Sequence, residues 1–191
     1  MLPAHRIWRA ATPAVFFLAA TLGHAAPDTA ACEVCHGKGG NSVIPGTPSI
    51  AGQPKTFLVN QLVFFREELR ASPIMQPVAK GMSDRDAIAY ADHFSKSAAR
   101  VVDTAATDAR LQKRGRELAG AMLCGQCHLP TFRGREQMPR LAGQREDYLH
   151  EAMRAYRDNR RTGADTTMAG VLHGVGDDDI RALSHFLARL K

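Results

Sequence analysis

One short string occurs twice in this chain: Cys32-Glu33-Val34-Cys35-His36 and, 92 positions later, Cys124-Gly125-Gln126-Cys127-His128. These strings hold all four cysteines. Within a helical turn, two thiols at this spacing face the same side, and the next residue is a histidine. The arrangement suits addition of both thiols to the two vinyl groups on one edge of a haem, with the histidine reaching the iron, and it is the signature of c-type haem attachment. Three rival readings fit less well. Paired zinc-binding C-x-x-C strings stand about 15–20 residues apart, whereas 88 residues separate Cys35 from Cys124. A redox-active dithiol calls for a βαβ context, and no alternating strand pattern is visible. Simple disulfides do not call for a histidine after both pairs.

The duplication extends beyond the cysteines. Pro48-Ser49-Ile50-Ala51-Gly52-Gln53 matches Pro139-Arg140-Leu141-Ala142-Gly143-Gln144 at an offset of 91. Met75, Val78, Gly81, Asp84 and Asp86 match Met168, Val171, Gly174, Asp177 and Asp179 at an offset of 93. So small a drift indicates a tandem repeat of two small units. The expected organisation is a leader over 1–26, a first unit over 27–100, a connector over 101–106 and a second unit over 107–191.

The apolar periodicity is helical. Leu58, Leu62, Phe65 and Leu69 form one stripe, and Leu149, Met153 and Tyr156 repeat it. Ile180, Leu183, Leu187 and Leu190 form another, with acids at 177–179 near its start. Leu111, Leu118 and Met122 line a helix running into Cys124, with Thr107 or Asp108 as its N-cap. Proline and glycine gather between each C-x-x-C-H string and the next stripe, which predicts loop. Each unit is thus about three short helices and long loops. Its own core would be marginal, and a large apolar ligand held inside would complete it.

The first 26 residues read as an export signal: Arg6 and Arg9, an apolar run from Ala10 to Leu22, then small residues closing at Ala25 and Ala26. The run is short for a bilayer span; an uncleaved N-terminal anchor is the alternative. The expected location is the periplasm, where unoccupied free thiols would not persist. The net charge of +6 falls to +4 without Arg6 and Arg9. Residues 27–100 carry eight Lys/Arg against seven Asp/Glu, and residues 107–191 carry fifteen against eleven. That surplus is too small and too interleaved for nucleic acid, though it biases encounters with an acidic protein surface.

Methionine sulfur and histidine nitrogen are the usual sixth ligands of electron-transfer haem. Of the seven methionines, only Met75 and Met168 occupy equivalent repeat positions. Met82 falls against Val175, Met153 against Leu62, Met138 against Thr47 and Met122 against Ala30. No histidine outside the two strings recurs, since His93 falls against Phe186 and His185 against Asp92. The repeat therefore selects Met75 and Met168, with gap-filling core methionines as the alternative.

With these strings and the P-x-L/I-A-G-Q motifs, each followed four residues beyond its glutamine by Phe57 or Tyr148, the chain resembles the dihaem cytochrome c4 family over almost all of residues 30–190. The resemblance implies an all-α fold of two tandem class I cytochrome c domains, each wrapped around one covalent haem c, joined back to front with the propionates facing across the boundary. Cys32, Cys35, Cys124 and Cys127 would carry the two haems; His36 with Met75, and His128 with Met168, would be the axial ligands. Pro48 and Pro139 would offer backbone carbonyls to the two histidines, fixing the rings and raising their donor strength.

The implied work is one-electron carriage between redox proteins rather than catalysis. A quinol–cytochrome c reductase or a dehydrogenase would be the donor and a terminal oxidase the acceptor, and peripheral association with the membrane is compatible with this. The alternatives are an electron-accepting dihaem subunit of a sulfide or alcohol dehydrogenase, and a haem enzyme such as a peroxidase with one open iron. Two departures stand out. Leu129 replaces the glycine that follows the histidine, whereas Gly37 keeps it, so the second loop is expected to sit differently. The first unit also has little chain before Cys32, which is expected to leave Val78, Ile88 and Phe94 short of cover.

Overall fold

The computed structural model describes residues 27–102, 106–161 and 166–191. The leader lies outside the described residues, as do positions 103–105 of the connector. The described residues contain nine α-helices and no strand; one isolated bridge pairs Arg135 with Met138. The first unit holds α1 (Ala30–His36), α2 (Lys55–Arg66), α3 (Met75–Ala79) and α4 (Asp84–Lys96), and the second holds α5 (Ala109–Ala121), α6 (Cys124–His128), α7 (Glu146–Arg157), α8 (Thr167–Leu172) and α9 (Asp177–Ala188). Each unit is richer in short helices than the three expected.

The stripes pack as their spacing requires. Leu58 and Phe65 on α2, and Leu149 and Met153 on α7, are buried. In each unit the long helix (α2 or α7) packs against the last helix (α4 or α9) and against the short one between them (α3 or α8). Leu69 falls outside its stripe. Helix α2 ends at Arg66, Glu68 turns left-handed at φ 58°, and Leu69 is exposed. Two caps work as local chemistry demands. Ser83 and Asp86 form a reciprocal capping box on α4, and the Asp108 carboxylate accepts the N–H groups of Arg110 and Leu111 on α5.

The helix through Leu111 and Leu118 does not run into Cys124. Leu123 adopts φ 55°, ψ 29° and breaks the chain between α5 and α6. Helix α5 instead lies against α9, where Gly115 allows the close approach: a Cβ there would overlap the Ala182 carbonyl and the Phe186 side chain. Among the described residues the first unit has no counterpart of α5. Accordingly α9 is buried at Ile180 and throughout 182–188, while Ile88 on α4 is exposed. Val78 is exposed as expected, but Phe94 is not; it is 2% exposed and packs against Leu58 and Ala91.

Candidate functional site

Each C-x-x-C-H string forms a single helical turn or little more, and each ends on a buried histidine, His36 on α1 and His128 on α6. Their partners lie 11 or 12 residues on. His36 Nδ1 donates to the Pro48 carbonyl at 2.8 Å and His128 Nδ1 to the Pro139 carbonyl at 2.9 Å. A carbonyl only accepts, so each Nδ1 carries the proton and each Nε2 presents a lone pair. His128 Nε2 is buried with no partner among the described residues. Burial lowers the basicity of both imidazoles, offset in part by the carbonyl bonds, so the neutral ring that can coordinate a metal is favoured.

The loop after each histidine is built alike. Gly37 and Leu129 take the same backbone conformation, and two successive amides return to one carbonyl: Ile50 and Ala51 to Gly40, Leu141 and Ala142 to Phe132. The second loop therefore does not diverge at Leu129. It diverges later, where Arg135 and Met138 pair in a tight turn. In the first loop Ser42, fully buried, donates its hydroxyl to the Cys35 carbonyl and accepts the Ile44 amide.

None of the four cysteines is in a disulfide. Cys32 and Cys124 are half-buried, and burial pushes both thiols up, while Cys35 and Cys127 are exposed. No three of His, Cys, Asp and Glu converge as a metal site among the described residues. The four cysteines, His36 and His128, and Met75 and Met168 all line one cavity of about 810 Å³ that runs through both units. Met82, Met122, Met138 and Met153 also reach its wall, so lining alone does not choose a ligand.

Four further residues gather in this cavity between the units. Arg70 and Arg161 both donate to the Tyr148 hydroxyl, at 3.1 and 3.4 Å, and both reach Gln61 Oε1. Burial raises the Tyr148 hydroxyl, but the two guanidiniums outweigh it and bring it down to about 7. No carboxylate pairs with Arg70 or Arg161 among the described residues. Two inward cations with no carboxylate partner among the described residues, two inward imidazoles and two thiol pairs at the rim of an apolar cavity fit a pair of covalently held haems carrying carboxylates. Sequence reading missed this cluster, although Arg70 and Arg161 recur at the motif offset of 91. It likewise missed what Gln53 and Gln144 do, although both stood in the motifs.

Those glutamines cross the boundary between the units. Gln144 accepts the Ser49 amide at 2.8 Å and donates to the Ser49 carbonyl at 2.8 Å. Gln53 does the same to Arg140, at 2.9 Å in both directions. Both side chains are buried.

Comparison with known proteins agrees with this geometry. The Cytochrome c family model matches residues 112–191. The chain is 32% identical to a thiosulfate dehydrogenase electron acceptor of Thiomonas intermedia (strain K12), over 98% of this chain and 92% of that one. It is 30% identical to a cytochrome c4 of Stutzerimonas stutzeri, over 88% of this chain and 92% of the relative. Its fold is similar to the crystal structure of reduced recombinant cytochrome c4 from Pseudomonas stutzeri, with a TM-score of 0.79 and 30% identity over 85% of this chain and 95% of that one.

Proposed function

This chain belongs to the dihaem cytochrome c4 family, a family of electron-transfer proteins rather than enzymes, and from that premise we propose that it shuttles single electrons in the periplasm, from a quinol–cytochrome c reductase or a dehydrogenase to a terminal oxidase. The two covalent haem c groups supply the one-electron ferric/ferrous couple. Cys32 and Cys35 hold the first and Cys124 and Cys127 the second. His36 and His128 are the proximal ligands, kept in the Nδ1–H tautomer by Pro48 and Pro139 so that Nε2 faces inward. Arg70 and Arg161, which meet at the Tyr148 hydroxyl, would balance the haem carboxylates.

Met75 and Met168 complete the ligand sets in this reading, and the hydrogen-bond pattern supports the repeat register behind it. The Met82 amide bonds the Ala79 carbonyl as the Val175 amide bonds that of Leu172. Arg66 donates to the Met82 carbonyl at 3.0 Å as Arg157 does to that of Val175 at 3.1 Å. Met82 thus stands where the other unit has valine, which leaves Met75 paired with Met168. Histidine and methionine at both irons would leave no position open for oxygen or peroxide, and thioether ligation would favour a high potential.

The single observation that carries the proposal is the pair of equivalent, inward-facing histidines in one cavity spanning both units. The test is intact mass and carbon monoxide binding of the purified holoprotein. Two haems of added mass and no carbon monoxide spectrum on reduction are expected; one haem, or a carbon monoxide complex, overturns it. The similarity to a thiosulfate dehydrogenase electron acceptor favours a second reading in which the donor is one dedicated dehydrogenase. Co-purification with such an enzyme, and reduction by it faster than by quinol–cytochrome c reductase, would select that reading.

A further inference from the structure

The crossed glutamines end on the same two peptide groups that hold the proximal histidines. The Pro48–Ser49 peptide gives its carbonyl to His36 Nδ1 and its N–H to Gln144 Oε1 of the second unit. The Pro139–Arg140 peptide gives its carbonyl to His128 Nδ1 and its N–H to Gln53 Oε1 of the first. Each chain of bonds therefore starts at one unit's histidine and finishes on the other unit's glutamine. The second bond of each glutamine, to the carbonyl of Ser49 or Arg140, fixes the amide so that its oxygen faces the right N–H.

A peptide that donates its N–H to an acceptor becomes a stronger acceptor at its own carbonyl, because hydrogen bonds in a chain polarise one another. A stronger acceptor on Nδ1–H makes the imidazole a better donor at Nε2, and a better donor favours ferric iron. We propose that Gln144 and Gln53 are crossed positioning residues: Gln144, in the second unit, lowers the potential of the haem held by His36, and Gln53, in the first unit, lowers that of the haem held by His128. The proposal rests on the reading of those histidines as iron ligands. It gives the interface between the units a redox role besides cohesion, because each haem reaches its full tuning only when the other unit is docked.

The test uses full-length holoprotein carrying Gln144→Met or Gln53→Met, which remove the amide and keep similar volume. Two quantities are read. One is the potential of each haem, with the two haems assigned by nuclear magnetic resonance. The other is the Nδ1–H resonance of each proximal histidine in the diamagnetic ferrous protein. Gln144→Met should raise the potential at His36, changing its ferric/ferrous equilibrium about threefold for a ~10–30% weakening of the chained bond. The His36 Nδ1–H resonance should move upfield while both readings at His128 stay put. Gln53→Met should do the converse. Shifts confined to the variant's own unit, or equal at both haems, overturn the proposal.

Should the methionine variants fail to fold, Gln144→Glu decides by sign. At a pH that keeps the new carboxyl protonated, that group still accepts the Ser49 N–H and donates to the Ser49 carbonyl, so the potential at His36 should hold, and a rise overturns the proposal. Failure of the ligand reading would be visible separately, in a wild-type ferric protein lacking the spectrum of two histidine–methionine haems.

Discussion

Gly37 and Leu129 share one backbone conformation, φ 76°, ψ 165° and φ 68°, ψ 155°. Each follows the histidine of its C-x-x-C-H string and turns the chain out of the helix. This region suits glycine, and for a residue with a Cβ it costs about 1–3 kcal/mol. The second unit bears that strain to leave its histidine on the same course as the first.

Leu129→Gly should therefore stabilise the holoprotein, by about 1 kcal/mol after the added chain entropy of glycine is deducted. Gly37→Leu should do the opposite and more, because a Cβ at Gly37 would overlap the Asn41 carbonyl. Denaturant unfolding followed by circular dichroism measures both; a destabilised Leu129→Gly protein would mean that the leucine side chain contributes more packing than its backbone costs.

The sixth ligands are tested by three substitutions. Met75→Leu and Met168→Leu should each abolish about half of the ferric sulfur-to-iron charge-transfer absorption and lower one potential, since thioether favours ferrous iron. Met82→Leu should leave the band whole. If Met82→Leu removes half of it and Met75→Leu does not, the ligand loop of the first unit differs from that of the second.

Gly115 sets helix propensity against packing. In an exposed helix, glycine to alanine gains about 1 kcal/mol. At Gly115 the new Cβ meets the Ala182 carbonyl and Phe186 across the α5–α9 contact, and overpacking of that kind costs about 1–3 kcal/mol. Gly115→Ala should thus lower stability, and a Tm above that of the parent protein would show that α5 can shift away at little cost.

The Asp108 carboxyl is held below its usual range because it accepts the amides of Leu111 and Arg110 at the start of α5. A lowered folded-state value means that its contribution is complete above the unfolded value of 3.8 and fades as pH falls through the lower, folded one. Asp108→Asn keeps an N-cap acceptor without the charge. It should remain close to the parent in Tm at neutral pH and lose less on acidification below pH 3.8. Parallel acid melts of the two proteins would rule this out.

The sequence alone determined what depends on local spacing: the duplicated C-x-x-C-H strings, the helical stripes buried at Leu58, Phe65, Leu149 and Met153, a cap at Thr107 or Asp108, and the family that these motifs resemble. Such features need only neighbours within a few turns of chain. The tertiary structure decided the rest. Leu69 continues its stripe in the sequence, yet α2 ends before it, with Glu68 turned left-handed, and the helix through Leu111 and Leu118 stops short of Cys124, with Leu123 turned left-handed. Phe94 is buried although the described residues give the first unit no counterpart of α5, because it packs against Leu58 and Ala91. The Arg70–Tyr148 bond and the crossed bonds of Gln53 and Gln144 join residues 78 to 95 positions apart. Nothing in the periodicity of either unit specifies how the two dock, and a buried glutamine finds its partner only once the opposing peptide has been placed within hydrogen-bond reach.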